Sequence, residues 1–167
     1  MENLISTLQL KAGRAVLGIG VREIGSYVGV SGAAISLWEN NKGHNNLKIT
    51  PERNLLLIHF FQNRGIFFPD KKSISLISDS NRHNSNSLIV LTRFQLKAAR
   101  AMLNLTQLEL ANYIGVSREL ITRAERLNNA EFIRPKETEV VSKIRKWFEE
   151  HKIHFIDNLS LSFLSAE

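Results

Sequence analysis

Apolar and polar residues follow a helical period over much of the chain. Thr92 and Gln95 form a capping-box pattern at the start of an apolar stripe, which predicts a helix over residues 92–103. The stripe consists of Phe94, Ala98, Ala101 and Met102. Ser6 and Gln9 repeat the capping pattern near the start of the chain and predict an equivalent helix there.

Two shorter helices are predicted directly after residue 103. Thr106 and Glu109 form another capping box, and Gly115 is suited to the left-handed conformation that ends a helix. Ser117 then caps a third helix that runs to about Arg126. Two short helices joined by a glycine turn, with serine opening the second, are typical of a helix-turn-helix.

Each half of the chain ends in residues that favour a hairpin. Pro135 opens a further predicted helix, because its missing N–H costs nothing in the first turn. The apolar face of that helix comprises Val140, Val141, Ile144, Trp147 and Phe148. HKIHFID and LSLSFLS alternate around a turn at Asp157 and Asn158, while IFF and SISLI flank Pro69 and Asp70. The predicted fold class is therefore mainly α with short β-hairpins.

The sequence repeats itself. At a shift of 86 residues, 14 of the 31 positions from Gln9 to Glu39 are identical to their counterparts from Gln95 to Glu125. SISLIS from Ser73 matches SLSFLS at a shift of 87. We therefore predict a tandem repeat of helix-turn-helix units, each followed by a helix and a hairpin. The units span residues 1–77 and 88–167, and the polar segment 78–87 is the predicted linker.

The second unit carries the motif of a known family. LTQLELANYIGVSRELITRAE, residues 105–125, resembles the Cro and phage-repressor (XRE-like) helix-turn-helix family. The matching positions are Gln107, Ala111, Gly115-Val116-Ser117, Ile121 and Glu125. Residues 19–39 match at Gly29-Val30-Ser31, Ile35 and Glu39, but Val21 stands where the family favours Gln. The resemblance covers roughly residues 5–60 and 91–148, and it implies a DNA-binding transcription regulator.

A helix-turn-helix reads bases from the outward face of its second helix. In the second unit the expected base contacts are Ser117, Arg118, Glu119, Thr122 and Arg123. An arginine can donate two hydrogen bonds to guanine, and a glutamate can accept one from cytosine. The competing interpretation is that these charged side chains form a solvated helix face. The expected phosphate contacts in this unit are Gln107, Arg93, Lys97 and Arg126.

The first unit is poorer in polar groups at the equivalent positions. Those positions are Val21, Gly32, Ala33, Ser36 and Leu37, and four of the five lack a hydrogen-bonding side chain. Ala33 is suited to a thymine methyl group. The expected backbone contacts are Arg22, Ser31, Ser36 and Lys42. The alternative is that this unit adds non-specific affinity or binds a protein.

Other residues are assigned to the fold. Arg14 and Glu39, like Arg100 and Glu125, are 25 residues apart, and in the resembled family such a pair bridges the first helix to the end of the recognition helix. Tyr27, Tyr113, Trp38 and Trp147 fit the edges of a core better than base-stacking platforms. His151 and His154 have no third ligand nearby, so no metal is expected.

Composition narrows the class of protein. Lys and Arg number 22 against 16 acidic residues, and the net charge of +6 suits an anionic partner. The lack of cysteine excludes disulfides and thiolate zinc sites. No phosphate-binding loop or catalytic serine motif is present, so we expect neither an enzyme nor a cofactor. The first residues do not resemble a signal peptide, and we expect a cytoplasmic, nucleoid-associated protein.

The leading functional hypothesis is therefore an operator-binding regulator. The alternatives are a protein-interaction module, such as an antirepressor, antiactivator or antitoxin, and a nucleoid or conjugation accessory protein with little sequence preference. A homodimer formed partly by the C-terminal hairpin is expected, because Leu161, Phe163 and Leu164 make its second strand the more apolar one. Pairing of the two hairpins within one chain is the alternative.

Overall fold

The computed structural model describes residues 4–41, 47–77, 91–126, 133 and 138–164. Its helices in the first half are α1 (Thr7–Leu17), α2 (Val21–Val28), α3 (Gly32–Glu39) and α4 (Pro51–Gln62), followed by strands β1 (Ile66–Phe67) and β2 (Ser73–Leu76). The second half contains α5 (Arg93–Met102), α6 (Gln107–Ile114), α7 (Arg118–Glu125), α8 (Thr138–Glu150), β3 (Ile153–Asp157) and β4 (Ser160–Phe163). The fold is thus mainly helical with a small antiparallel sheet, while Pro135 and the predicted linker 78–87 lie outside the described residues.

The predicted caps form as the sequence indicates. Ser6 and Thr92 precede α1 and α5 in extended conformation, and each side chain accepts a hydrogen bond from the backbone N–H three residues later. Gln9 and Gln95 complete both boxes by accepting from the backbone N–H of the capping residue. These bonds satisfy donors that the start of a helix otherwise leaves unpaired, and the two predicted helices are confirmed.

Both short helix pairs turn at a left-handed glycine. Gly29 ends α2 at φ 73° and Gly115 ends α6 at φ 74°. A side chain at such an angle would crowd the following carbonyl, so glycine is favoured. The Gly115 N–H donates to the Ala111 carbonyl, and Ser117 then caps α7 by accepting from the Leu120 N–H at 3.2 Å. The predicted helix, glycine turn and second helix are confirmed.

The two hairpins form one sheet. Its strand order is β1-β2-β4-β3, with β2 and β4 antiparallel at the centre. The pairs between them are Ser73 with Ser162, Ile74 with Leu161, and Ser75 with Ser160. β4 pairs with a strand on each side. The homodimer hypothesis assumed that its backbone is a free edge for a second chain, and in the structure that edge is already occupied. The alternative of intrachain hairpin pairing is the arrangement observed.

Two buried glutamines tie helices to the hairpin turns. The Gln9 amide donates to the Ser73 carbonyl at 2.8 Å and also to the carbonyl of Asp70. The Gln95 amide donates to the carbonyl of Asp157. Gln9 and Gln95 are both almost fully buried, so these bonds remove an unpaired donor from the interior at the same point of each half.

The apolar side chains of both halves form one contiguous core. α1 packs against α5, and both carry small residues on the packed face, including Ala12 and Ala98, which are fully buried. At Gly13 a Cβ atom would lie 2.7 Å from the Phe61 ring, so glycine lets α4 approach α1. Phe61, Phe94 and Phe148 are fully buried. The sheet and α1 therefore hold the two halves together, while their division into two domains stays a prediction.

Candidate nucleic-acid interface

The outward face of α7 is rich in charged and polar groups. Ser117, Arg118, Glu119 and Arg123 are exposed, while Thr122 is half-buried. Among the described residues, neither the Arg118 nor the Arg123 side chain forms an ion pair or hydrogen bond. Two guanidinium groups and a carboxylate are thus presented on one side of a short helix, where each is open to an external partner.

A polar network fixes the position of α7. Arg100 on α5 donates from Nε and Nη2 to both carboxylate oxygens of Glu125, at 2.6 and 2.8 Å. Its Nη1 donates to the Leu105 carbonyl at 2.6 Å, which adds the loop before α6. Glu125 is only 7% exposed, so the charge is placed in the interior with its hydrogen bonds satisfied. The predicted structural role of this pair is confirmed.

Gln107 extends that network. Its Nε2 donates to Glu125 Oε2 at 2.8 Å, and its Oε1 accepts from the Thr122 hydroxyl at 3.0 Å. The sequence predicts that Gln107 contacts a DNA phosphate and that Thr122 contacts a base. In the structure both side chains are committed to each other, so they first serve to align the start of α6 with the middle of α7. A contact with DNA would have to exchange or share these bonds.

Arg93, which the sequence predicts to contact phosphate, faces the interior of the protein instead. Its side chain is buried at 5% exposure, and Nη1 donates to the carbonyls of Arg123 at 2.9 Å and Ala124 at 2.7 Å. These carbonyls belong to the last turn of α7, where the helix dipole is negative, and the Arg123 carbonyl also accepts from the Arg126 N–H. Arg93 is therefore a cap for the C-terminus of α7.

The other two predicted phosphate contacts of this half differ in exposure. Lys97 is half-buried on α5, and burial lowers the pKa of its ammonium group, against the opposing effect of nearby Glu125. Arg126 follows α7 and is exposed. Arg126 is thus placed beside the α7 face, whereas Lys97 lies partly within the helical packing.

The first half has the same scaffold with a different surface. Arg14 donates to the two oxygens of Glu39 at 2.7 and 2.9 Å and to the Ile19 carbonyl at 3.2 Å. The hydrogen bond from Arg14 to Glu39 raises the pKa of the guanidinium. At the position of Gln107 this half has Val21, which has no polar group to donate to Glu39. The predicted structural pair is confirmed, but without the glutamine extension.

The α3 surface is apolar where α7 is charged. Ala33 is exposed and Leu37 is 71% exposed. Ser31 is exposed but its hydroxyl caps α3 by accepting from the Ala34 N–H at 3.1 Å, while Ser36 is half-buried. Arg22 is exposed beside this helix, and Lys42 lies outside the described residues.

The structure contains an aromatic stack beside α6 that the sequence did not predict. Tyr113 stacks on Trp147 with ring centroids 5.3 Å apart, and His151 also stacks on Trp147, with ring centroids 3.8 Å apart. In the first half Tyr27 meets Phe60 edge to face, and Arg64 lies 3.7 Å above the same ring. The spacing of Trp147 and His151, one helical turn apart, was the available signal. His151 Nδ1 lies 2.7 Å from the Trp147 carbonyl oxygen, so this histidine already has a backbone partner.

The described residues contain neither a group of side chains that could hold a metal ion nor a helix that could span a membrane. In that part of the chain no three His, Asp or Glu side chains are grouped to hold an ion. None of the helices in the same residues is long and apolar enough to cross a bilayer.

Comparison with known proteins adds no family. No family model, curated protein or solved structure matches the chain.

Proposed function

We propose that this chain is a DNA-binding transcription regulator built as a tandem repeat of two helix-turn-helix units, with α7 as its principal recognition helix. The observation that carries the proposal is the outward face of α7. Arg118, Glu119 and Arg123 are exposed there without a partner among the described residues, on a helix whose rear is anchored through Glu125. Such groups match the donor and acceptor pattern of the major groove.

The sheet supports an internal two-fold relation between the units. The shift of 87 residues relates Ile74 to Leu161, Ser73 to Ser160 and Ser75 to Ser162. When the related positions are exchanged, the pair Ile74–Leu161 is unchanged, and the pair Ser73–Ser162 becomes the pair Ser75–Ser160. An interface of this kind is isologous, as in a two-fold dimer. One chain therefore carries two recognition helices for two half-sites, and the predicted homodimer is not needed to supply the second. Homodimerisation itself stays a prediction, to be tested by light scattering of the free protein and of its DNA complex.

The first experiment selects bound fragments from genomic DNA and measures affinity for the best duplex by fluorescence anisotropy. Affinity should fall steeply with salt concentration, because phosphate contacts release counterions. The variants Arg118→Ala and Arg123→Ala should each weaken specific binding by about 1–3 kcal/mol, with a smaller loss on random duplex. A flat salt response, or no binding to any duplex at low salt, contradicts the proposal.

A matched control removes the same charge elsewhere. Lys143 and Lys146 lie on α8 with side chains that are 57% and 79% exposed, each within 4.0 Å of a glutamate one turn away. Lys143→Ala and Lys146→Ala should leave the preference for the selected duplex unchanged. If they reduce it as much as the α7 variants do, the effect is one of net charge and not of base recognition.

The second candidate function is binding of a protein partner by the first unit. It is favoured by Leu37, which at 71% is the most exposed large hydrophobic side chain of the described residues. An antirepressor, antiactivator or antitoxin would use such a surface. A pull-down from the native host tests this function. It is favoured if a protein is recovered in stoichiometric amount, if Leu37→Asp no longer recovers that protein, and if the anisotropy experiment shows no DNA binding.

A further inference from the structure

The two recognition surfaces differ in chemistry although their scaffolds agree. In register with Arg118, Glu119 and Arg123, α3 carries Gly32, Ala33 and Leu37. Ala33 and Leu37 are one helical turn apart and both exposed, so they form a narrow apolar strip on one side of α3. A partner of this strip must offer apolar groups and does not need hydrogen-bond donors.

A cationic side chain lies directly beside the strip. A Cβ atom at Gly32 would lie 3.1 Å from Arg22 Cγ, so the stem of Arg22 passes over the start of α3 while its charged end is exposed. Gly20 precedes α2 without a side-chain cap, which leaves the first N–H groups of that helix open. The apolar strip thus lies beside one positive charge, a combination that fits a groove bordered by phosphates better than the apolar face of a protein.

The major groove offers one kind of apolar group, the C5 methyl of thymine. Residues one turn apart on a helix have Cβ atoms about 5–6 Å from each other, and successive bases rise by about 3.4 Å. Ala33 and Leu37 therefore match the spacing of methyl groups on adjacent or next-adjacent thymines. Other base edges present mainly hydrogen-bonding atoms, which Ala and Leu would leave without partners.

We infer that α3 reads thymine methyl groups while α7 reads polar base edges, so that the operator is asymmetric. This inference rests on the proposed function. One half-site contains thymines in the groove facing Ala33 and Leu37, and the other contains guanine or cytosine facing Arg118, Glu119 and Arg123. Because the two-fold relation through Ile74 and Leu161 places dissimilar surfaces at equivalent positions, the protein binds its site in a single orientation.

Uracil substitution tests the inference without changing the protein. Uracil keeps the hydrogen-bonding edge of thymine and lacks only the methyl group. In the selected duplex, thymines are replaced by uracil in one half-site at a time, and affinity is measured by anisotropy. Replacement in the α3 half-site should weaken binding about fourfold for each contacted methyl, the value expected for one buried carbon, while the other half-site tolerates replacement.

Protein variants assign the effect to α3. Leu37→Ala should lose the part of the uracil penalty that comes from the methyl facing Leu37 and keep the part that comes from the methyl facing Ala33. Ile156→Ala is the control, since Ile156 is 52% exposed on β3 and lies outside both recognition helices. This control should retain the full uracil penalty. Because Leu37 is exposed, its truncation should leave the fold intact, and circular dichroism of the variant checks this.

The outcomes separate this inference from the proposed function. Specific binding that ignores uracil in both half-sites overturns the thymine reading and leaves DNA recognition by α7 intact. A Leu37→Ala variant that loses affinity while keeping the full uracil penalty also overturns it. No specific binding to any duplex removes the proposed function and this inference together.

Discussion

Ile74 faces Leu161 across the two central strands of the sheet, and both side chains are fully buried. The two positions are equivalent in the repeated sequence, and the pairs on either side of them are exchanged by the same 87-residue shift. Each hairpin covers an apolar strand that the other would leave open. A two-stranded hairpin is marginal in water, so the four-stranded sheet explains how both hairpins become stable in one chain.

Truncation of Leu161 should destabilise the protein strongly. Leu161→Ala removes a fully buried side chain from the sheet centre, and we expect the free energy of unfolding to fall by about 2–5 kcal/mol. Ile156→Ala on β3 should change it by less than about 0.5 kcal/mol, because that side chain is mostly exposed. Urea denaturation followed by circular dichroism measures both. Equal effects would mean that the central pairing of the sheet is not formed in solution.

The two matched ion pairs should differ in their contribution. Glu39→Gln and Glu125→Gln each replace a buried carboxylate that accepts two bonds from arginine, and each should cost about 1–3 kcal/mol. Glu125→Gln should cost about 0.5–1.5 kcal/mol more, because Glu125 also accepts from Gln107. Glu139→Gln is the control, since this carboxylate is 83% exposed. In Gln107→Val the difference between the two halves should disappear.

Arg93 should affect stability and leave the salt dependence of DNA binding unchanged. Arg93→Met keeps an apolar stem but removes the bonds to the carbonyls at the end of α7, at a cost of about 1–3 kcal/mol. Arg118→Met should change stability by less than about 0.5 kcal/mol. If Arg93→Met instead has unchanged stability and its DNA affinity depends less steeply on salt, the result supports the phosphate contact that the sequence predicts.

Acid should weaken the start of α6. The hydrogen bonds of the Glu109 carboxylate with Thr106 lower the pKa of Glu109 from its ordinary value of 4.5. A carboxyl whose pKa is lower in the folded state contributes stability above its ordinary pKa and loses it as pH falls through the folded value. Glu109→Gln should therefore be less stable than the wild type at pH 7, and the difference should vanish below the folded pKa. Urea midpoints measured from pH 7 downward check this, and a difference that does not shrink as pH falls below the ordinary value of 4.5 contradicts it.

Prediction of side-chain exposure from the sequence succeeded on α7, where Arg118, Glu119 and Arg123 are exposed. The positions Arg118, Glu119 and Arg123 follow from helix periodicity once the turn at Gly115 is placed, and local signals set both. It failed for Arg93, because a first-turn arginine has the same local sequence whether it faces solvent or another helix. For Gln107 the sequence indicated the right helix end but not its bonds to Glu125 and Thr122, which come from residues 15 and 18 positions away.

The sequence by itself determined the helices, their caps and the glycine turns. These depend on hydrogen bonds between residues a few positions apart and on periodicities of one or two turns. Only the tertiary structure decided that β2 pairs with β4, that α1 packs on α5, and that Arg93 is buried. Those contacts join residues that are far apart in the chain, and their free energy depends on which surfaces meet. Alternating strands fit equally well against a second chain or against each other, so the local pattern left the choice open.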